Sequence, residues 1–155
     1  MCKYFVSADG GGSKMSVILF DENMNLHGYG MSGPINPRFV SNRTIRDNFV
    51  SNIEQCLNHI SVDEIEALYI SMPGPMDLFA HLLGKRAKLN QFFRMSEGEM
   101  SLLAGAFSDH GIVALAGTGS GVFNVNGINS AHVGGWGALF DDEGSGYSIG
   151  AAAIR

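Results

Sequence analysis

Glycine placement constrains this chain more than any other feature. Residues 3–8 and 15–20 are apolar runs of strand length, joined by Asp9-Gly10-Gly11-Gly12-Ser13-Lys14. The same device returns toward the other end, where Gly117-Thr118-Gly119-Ser120-Gly121 links residues 111–116 to Val122-Phe123-Asn124-Val125. A third stretch, Gly134-Gly135-Trp136-Gly137, runs on to Asp141-Asp142-Glu143-Gly144-Ser145-Gly146. Glycine lets backbone N–H groups turn toward an anion with no Cβ in the way, and an acid beside such a turn can hold a hydrated magnesium ion. One such loop alone reads equally well as a hairpin turn, because Gly is the commonest turn residue. Three in this order, each beside an acid or a hydroxyl, read together as a polyphosphate clamp. The 21 glycines of the 155 residues are about twice the usual share of ~7%, and they concentrate in these loops.

The segments between the loops have a legible order. Asp21-Glu22-Asn23-Met24-Asn25 turns the chain into a third apolar run near Leu26 to Met31, which completes an antiparallel meander. After Gly33-Pro34-Ile35-Asn36-Pro37, the positions Ile45, Phe49, Ile53 and Leu57 recur every four residues behind a Ser41/Asn42 cap. That spacing predicts an amphipathic helix over one face of the sheet. A short strand over residues 67–71 leads through Met72-Pro73-Gly74-Pro75 to a helix marked by Leu78, Phe79, Leu82 and Leu83. A further strand is predicted near residues 92–95. The next helix opens on the capping box Ser96-Glu97-Gly98-Glu99, with Met100, Leu103, Ala104 and Phe107 as its expected buried stripe. Meander, helix, strand, helix, strand, helix is the order of one ribonuclease-H-like lobe, an α/β fold with a mixed sheet flanked by helices. The first lobe is expected over 1–109, with the opening of a second such lobe over 110–155. In that second part Asn126-Gly127 is the hairpin signal, and the segment from Gly144 starts a helix that reaches Arg155 without a capping glycine, as if cut.

Other chemistries fail on context. No Gly-x-x-x-x-Gly-Lys-Ser/Thr occurs, which excludes the usual P-loop. Gly28-Tyr29-Gly30-Met31-Ser32-Gly33 matches the dinucleotide fingerprint, but Pro34 and Pro37 follow where a helix should open, so the match is accidental. Ten Lys+Arg against fifteen Asp+Glu give a net charge of −5 with the basic residues scattered, which leaves no footprint for nucleic acid. Apolar residues make up 45%, yet no stretch approaches the ~18 needed for a membrane-crossing helix. Asp9 arrives too soon for a secretory h-region. Cys2 and Cys56 lack paired spacing and the five histidines are dispersed, so neither a disulfide nor a transition-metal site is expected. The expected setting is the cytoplasm, where the Asn42-Arg43-Thr44 sequon is silent.

On Asp9-Gly10-Gly11-Gly12-Ser13, Gly117-Thr118-Gly119-Ser120 and Gly134-Gly135-Trp136-Gly137 with Asp142-Glu143-Gly144-Ser145, the chain resembles the BadF/BadG/BcrA/BcrD type of actin-like ATPase, and within it the branch of N-acetylglucosamine kinase. The resemblance implies a two-lobed protein that binds ATP with Mg2+ and closes around its substrate. It implies that Gly10, Gly11, Gly12, Ser13 and Lys14 contact phosphates, that Thr118, Gly119 and Ser120 meet them from the second lobe, and that Asp9 holds the water shell of the metal. The activator branch of this family is marked by cysteines that bridge an iron-sulfur cluster between subunits, and neither Cys2 nor Cys56 is comparably placed. Asn36 resembles the Asn that holds a sugar hydroxyl, with an Asx turn before Pro37 as its other reading. Ser71, Gly117, Asp142 and Gly146 match positions of the same pocket. Trp136 is a stacking ring for a sugar, a lid anchor or a core residue.

The chain departs from the pattern at the catalytic acid. The amino-sugar kinases carry an Asp at the start of the helix before the Gly-Thr-Gly-Ser strand, and the ungapped position here is Gly98. Glu97 becomes the expected proton acceptor, since Glu99 has a capping role. The leading function is transfer of the γ-phosphoryl group of ATP to a hydroxyl of N-acetylglucosamine, glucosamine or N-acetylmuramic acid, by a full-length homodimer of which this chain is an N-terminal, inactive part. The alternatives are an ATP-hydrolysing activator without a sugar substrate and a sugar-binding module without turnover.

Overall fold

The computed structural model describes residues 2–58, 60–127 and 129–155. They form two compact units, Met1–Met95 and Ser96–Arg155. In the first, strands β1 (Tyr4–Gly10), β2 (Met15–Asp21) and β3 (Leu26–Ser32) make the predicted meander. Helix α1 (Asn42–Cys56), strand β4 (Glu64–Ser71), helix α2 (Met76–Gly84) and strand β5 (Lys88–Arg94) follow. The sheet order is β3-β2-β1-β4-β5, with β4 parallel to both β1 and β5. Alternation builds the core: Met15, Val17, Leu19 and Asp21 of β2 are buried and the residues between them are not. Helix α1 answers with Ile45, Phe49 and Ile53, and starts where Ser41 accepts a hydrogen bond from the N–H of Thr44.

Two glycines decide how α1 lies on the sheet. A Cβ on Gly28 would stand 1.9 Å from the carbonyl oxygen of Cys56, and one on Gly30 would stand 2.3 Å from that of Asn52. Bare backbone on β3 is what allows the helix so close. Gly28 and Gly30 of the Gly28-Gly30-Gly33 pattern therefore serve helix-on-sheet packing from within a strand, where the dinucleotide fingerprint would need a turn opening a helix. Asn52 completes the joint from inside the core, its Nδ2 donating to the Met15 carbonyl and to Ser32 Oγ, each at 3.0 Å.

The β2–β3 turn hangs on one buried carboxylate. Asp21 accepts from the N–H groups of Asn23 and Asn25, both at 2.9 Å, and pairs with His27 Nε2 at 2.9 Å. The bond to His27 first, then those to Asn25, hold its carboxyl well below the usual carboxylate range. A depressed folded-state pKa means stability that is present above the unfolded value of ~3.9 and is lost as pH falls through the folded one. The melting-temperature gap between the natural chain and Asp21→Asn is expected to be full near neutrality and to narrow below about pH 4. A gap that stays constant in acid would remove Asp21 as its source.

In the second unit, β6 (His110–Ala116), β7 (Ser120–Asn126) and β8 (Asn129–Val133) form an antiparallel sheet. Helix α3 (Glu97–Ala106) packs on it through Leu102, against Phe123 and Val125. Helix α4 (Gly146–Ile154) follows, capped by Ser145. Because α3 lies on β6 and β7, the compact units divide at Met95/Ser96, ahead of the 109/110 boundary read from element order.

Two expectations are corrected. Strand β5 begins at Lys88, not near residue 92, since its polar first half pairs with β4 at the sheet edge. The buried face of α3 is Gly98 and Leu102; of the predicted stripe, Leu103, Ala104 and Phe107 are exposed, Phe107 by 93% as a left-handed C-cap. A Cβ on Gly98 would lie 2.5 Å from Phe123 Cβ. The contact face is thus set by a residue without a side chain, which hydrophobic spacing does not register.

Candidate functional site

In the first unit the candidate residues gather at the carboxyl ends of β1 and β4. Asp9 is in register with Ser16 on β2 and with Ser71 on β4, so Asp9 and the buried Ser71 are strand neighbours. Burial of its surroundings pushes the Asp9 pKa up, against the opposing pulls of the Gly10 N–H and Lys14. Gly10, Gly11, Gly12, Ser13 and Lys14 form the turn to β2, closed by the Gly11 N–H donating to the Lys14 carbonyl at 2.9 Å. Nothing stands within 4 Å of a Cβ built on Gly11, so its backbone faces open space that a phosphate oxygen can approach.

Ile35 ties this turn to two further loops. It is fully buried, and its N–H donates to the Gly11 carbonyl at 3.1 Å. A Cβ on Gly10 would meet Ile35 Cγ1 at 2.9 Å, and a Cβ on Gly74 would meet the Ile35 carbonyl oxygen at 2.9 Å. The segments carrying Asp9, Asn36 and Ser71 therefore converge on one side chain. Asn36 makes the Asx turn, its Oδ1 accepting from the Arg38 N–H at 3.0 Å, which leaves Nδ2 as its side-chain donor.

In the second unit, the Gly117–Gly121 turn between β6 and β7 is held from residues 142–146. The Ser120 N–H donates to Asp142 Oδ1 at 3.1 Å, Ser120 Oγ donates to the Glu143 carbonyl at 2.9 Å, and the Gly146 N–H donates to the Gly117 carbonyl at 2.8 Å. Asp142 is buried and adopts φ 71°, a conformation favoured by glycine, at the bend that brings its carboxylate back to the turn. Asp142, Gly146, Ser120 and Gly117 are thus brought together, with Thr118 and Gly119 at the tip. Gly117, like Gly11, has open space where a side chain would stand. An open groove of about 410 Å³ runs past this turn, lined among others by Ala116, Ser120, Gly121, Gly134, Gly135 and Asp141.

Trp136 is 77% exposed, so it is not a core residue of this unit. Glu99 does fill the cap: its carboxylate accepts from the Ser96 N–H at 2.6 Å while Ser96 Oγ accepts from the Glu99 N–H at 3.1 Å. Glu97 stands beside it as the exposed first residue of α3. Among the described residues no three His, Cys, Asp or Glu side chains gather as a metal site. No helix of the described residues is long and apolar enough to cross a membrane. Sequence reasoning gave no role to Ile35. An apolar residue bracketed by Pro34 and Pro37 was a usable signal for it.

A profile of the BadF/BadG/BcrA/BcrD ATPase family matches residues 8–155. The chain belongs to this family. Across 163 aligned residues it is 29% identical to the N-acetylmuramic acid/N-acetylglucosamine kinase of Clostridium acetobutylicum, covering 99% of this chain and 53% of that protein. The family member described here thus spans about half the length of its curated relative. Among solved structures it resembles the provisionally assigned N-acetylglucosamine kinases of Porphyromonas gingivalis, with a TM-score of 0.74, 20% identity and coverage of 97% and 54%, and of Chromobacterium violaceum, with 0.69, 20%, 97% and 55%. At that identity they show the fold, the actin-like one that the resemblance implies.

Proposed function

We propose that this chain is the phosphate- and sugar-binding part of an ATP-dependent phosphotransferase acting on N-acetylglucosamine or a close amino sugar, in a protein of the length its relatives have. The observation that carries the reading is the Gly117–Ser120 turn, whose Ser120 is bound by Asp142 and Glu143 while Gly117 stays open to solvent. Such a turn is already ordered before any ligand arrives, which lowers the cost of binding one. The likeness to a kinase of N-acetylmuramic acid and N-acetylglucosamine supports the substrate class.

In this reading Gly10, Gly11, Gly12, Ser13 and Lys14, with Thr118, Gly119 and Ser120, hold the phosphates. Asp9 orients the water shell of Mg2+, which as Mg-ATP supplies the phosphoryl group and neutralises its charge. Asn36 Nδ2, Ser71, Gly117, Asp142, Gly146 and the exposed ring of Trp136 orient the sugar, and Glu97 takes the hydroxyl proton. The protein is cytoplasmic and a homodimer.

Coupled assay of ADP release by a family-length protein tests this. Release that depends on N-acetylglucosamine is expected. Hydrolysis that proceeds at the same rate with and without amino sugars would sink the kinase reading and leave an ATP-hydrolysing activator.

A further inference from the structure

The second unit contains a column of rings and bare glycines. The imidazole of His132, on β8, stacks on Phe123 with centroids 4.2 Å apart and planes 1° from parallel. Across the strands, a Cβ on Gly121 would stand 2.4 Å from His132 Nε2. From a third direction, a Cβ on Gly135, which has φ 70°, would stand 2.9 Å from His132 Cε1 and 3.0 Å from the Ser120 carbonyl oxygen. Gly98 at the start of α3 also comes against Phe123, where a Cβ would stand 2.5 Å from Phe123 Cβ. These are distances to side chains the glycines lack, so bare backbone at Gly121 and Gly135 lies against the imidazole where any side chain would clash with it. Among the described residues the ring nitrogens of His132 have no hydrogen-bond partner; the flat shape of the ring is what the site uses.

We infer that His132 is a positioning residue, a wedge that couples the Gly117–Gly121 turn to the Gly134–Gly137 loop, so that a shift of the turn is passed to Trp136. The coupling is a property of the packing; only the identity of what occupies the turn rests on the proposed function. His132 is itself exposed, so displacement passes through the contacts of its ring with Phe123, Gly121 and Gly135 rather than through a packed interior. Gly121 and Gly135 are glycines because the ring takes the room of their side chains. Phe at 132 can keep the stack on Phe123, since the wedge needs a flat ring and not a titratable nitrogen. The exposed Trp136, which follows Gly135 directly, is the single tryptophan of the chain and so reports the loop without a label.

The test is a variant cycle read by Trp136 emission and acrylamide quenching, with circular dichroism confirming that each variant is folded. Gly121→Ala pushes a methyl into the imidazole and is expected to shift Trp136 emission. In a His132→Ala background the same methyl enters vacated space and the shift should vanish; His132→Asn serves if the alanine variant does not fold. His132→Phe is expected to keep the natural spectrum and to restore the response to Gly121→Ala. An equal shift with and without the ring, or none in the natural background, overturns the coupling. Mg-ATP added to the natural chain forms a separate arm. A Trp136 response that His132→Ala abolishes and His132→Phe retains supports both readings, one that persists in His132→Ala overturns the coupling, and the absence of any response counts against phosphate binding alone, because the cycle is read without ligand.

Discussion

Glu97→Gln in a family-length protein is expected to lower kcat by about 10²–10⁴-fold, the contribution of a positioned general base, with Tm nearly unchanged. The structure separates the jobs of the two neighbouring acids. Glu99 is committed to the cap by its bond to the Ser96 N–H, so Glu99→Ala should cost about 0.5–2 kcal/mol of stability and spare turnover. Position 98 cannot take over, because Phe123 occupies the space a side chain there would need. Glu97, the exposed first residue of α3, is the residue proposed for the role. Steady-state kinetics beside thermal melts decide the matter: normal turnover in Glu97→Gln would reassign the proton acceptor or end the kinase reading.

Gly28→Ala is expected to damage the first unit more than any other single methyl. Its Cβ would sit 1.9 Å from the Cys56 carbonyl oxygen, and backbone at the end of a helix cannot step aside as a side-chain tip can. Overpacking costs typically ~1–3 kcal/mol and occasionally more, against a total domain stability of about 5–15 kcal/mol. Gly150→Ala is the control, since nothing lies within 4 Å of that position in the middle of α4; it should be neutral or mildly stabilising, by up to about 1 kcal/mol. Urea melts should show a large fall in midpoint for Gly28→Ala. An unchanged midpoint would mean that α1 does not rest on β3 at this distance.

The strands and caps were legible because each follows from local chemistry. The meander was marked by apolar runs and turn residues, α1 by its four-residue spacing and Ser41 cap, and the Ser96/Glu99 capping box by its letters. What escaped was set by neighbours distant in sequence. The polar residues Lys88, Asn90 and Gln91 look unlike a strand until β4 offers its edge. Gly98 is silent in any hydrophobic pattern, yet it is the buried face of α3 because Phe123 comes to it. The candidate site was legible as a set of glycine turns. How they are held was not: Asp142, read as a ligand residue in the sequence, also accepts from the Ser120 N–H through Oδ1, at a backbone angle that no motif announces. Trp136 could not be placed from its flanking glycines, since the same letters serve a buried ring and an exposed one.

The convergence on Ile35 bears on where this protein can change length. Surface loops normally absorb insertions and deletions freely. Here the 9–14, 33–37 and 72–75 loops share one buried side chain and the Gly11–Ile35 backbone bond, so adding a residue to any of them unseats the other two. The exposed bend at Gly84, Lys85 and Arg86 carries no such obligation. Length variation among natural relatives of this unit should accumulate at that bend, and an epitope or reporter peptide is best grafted there.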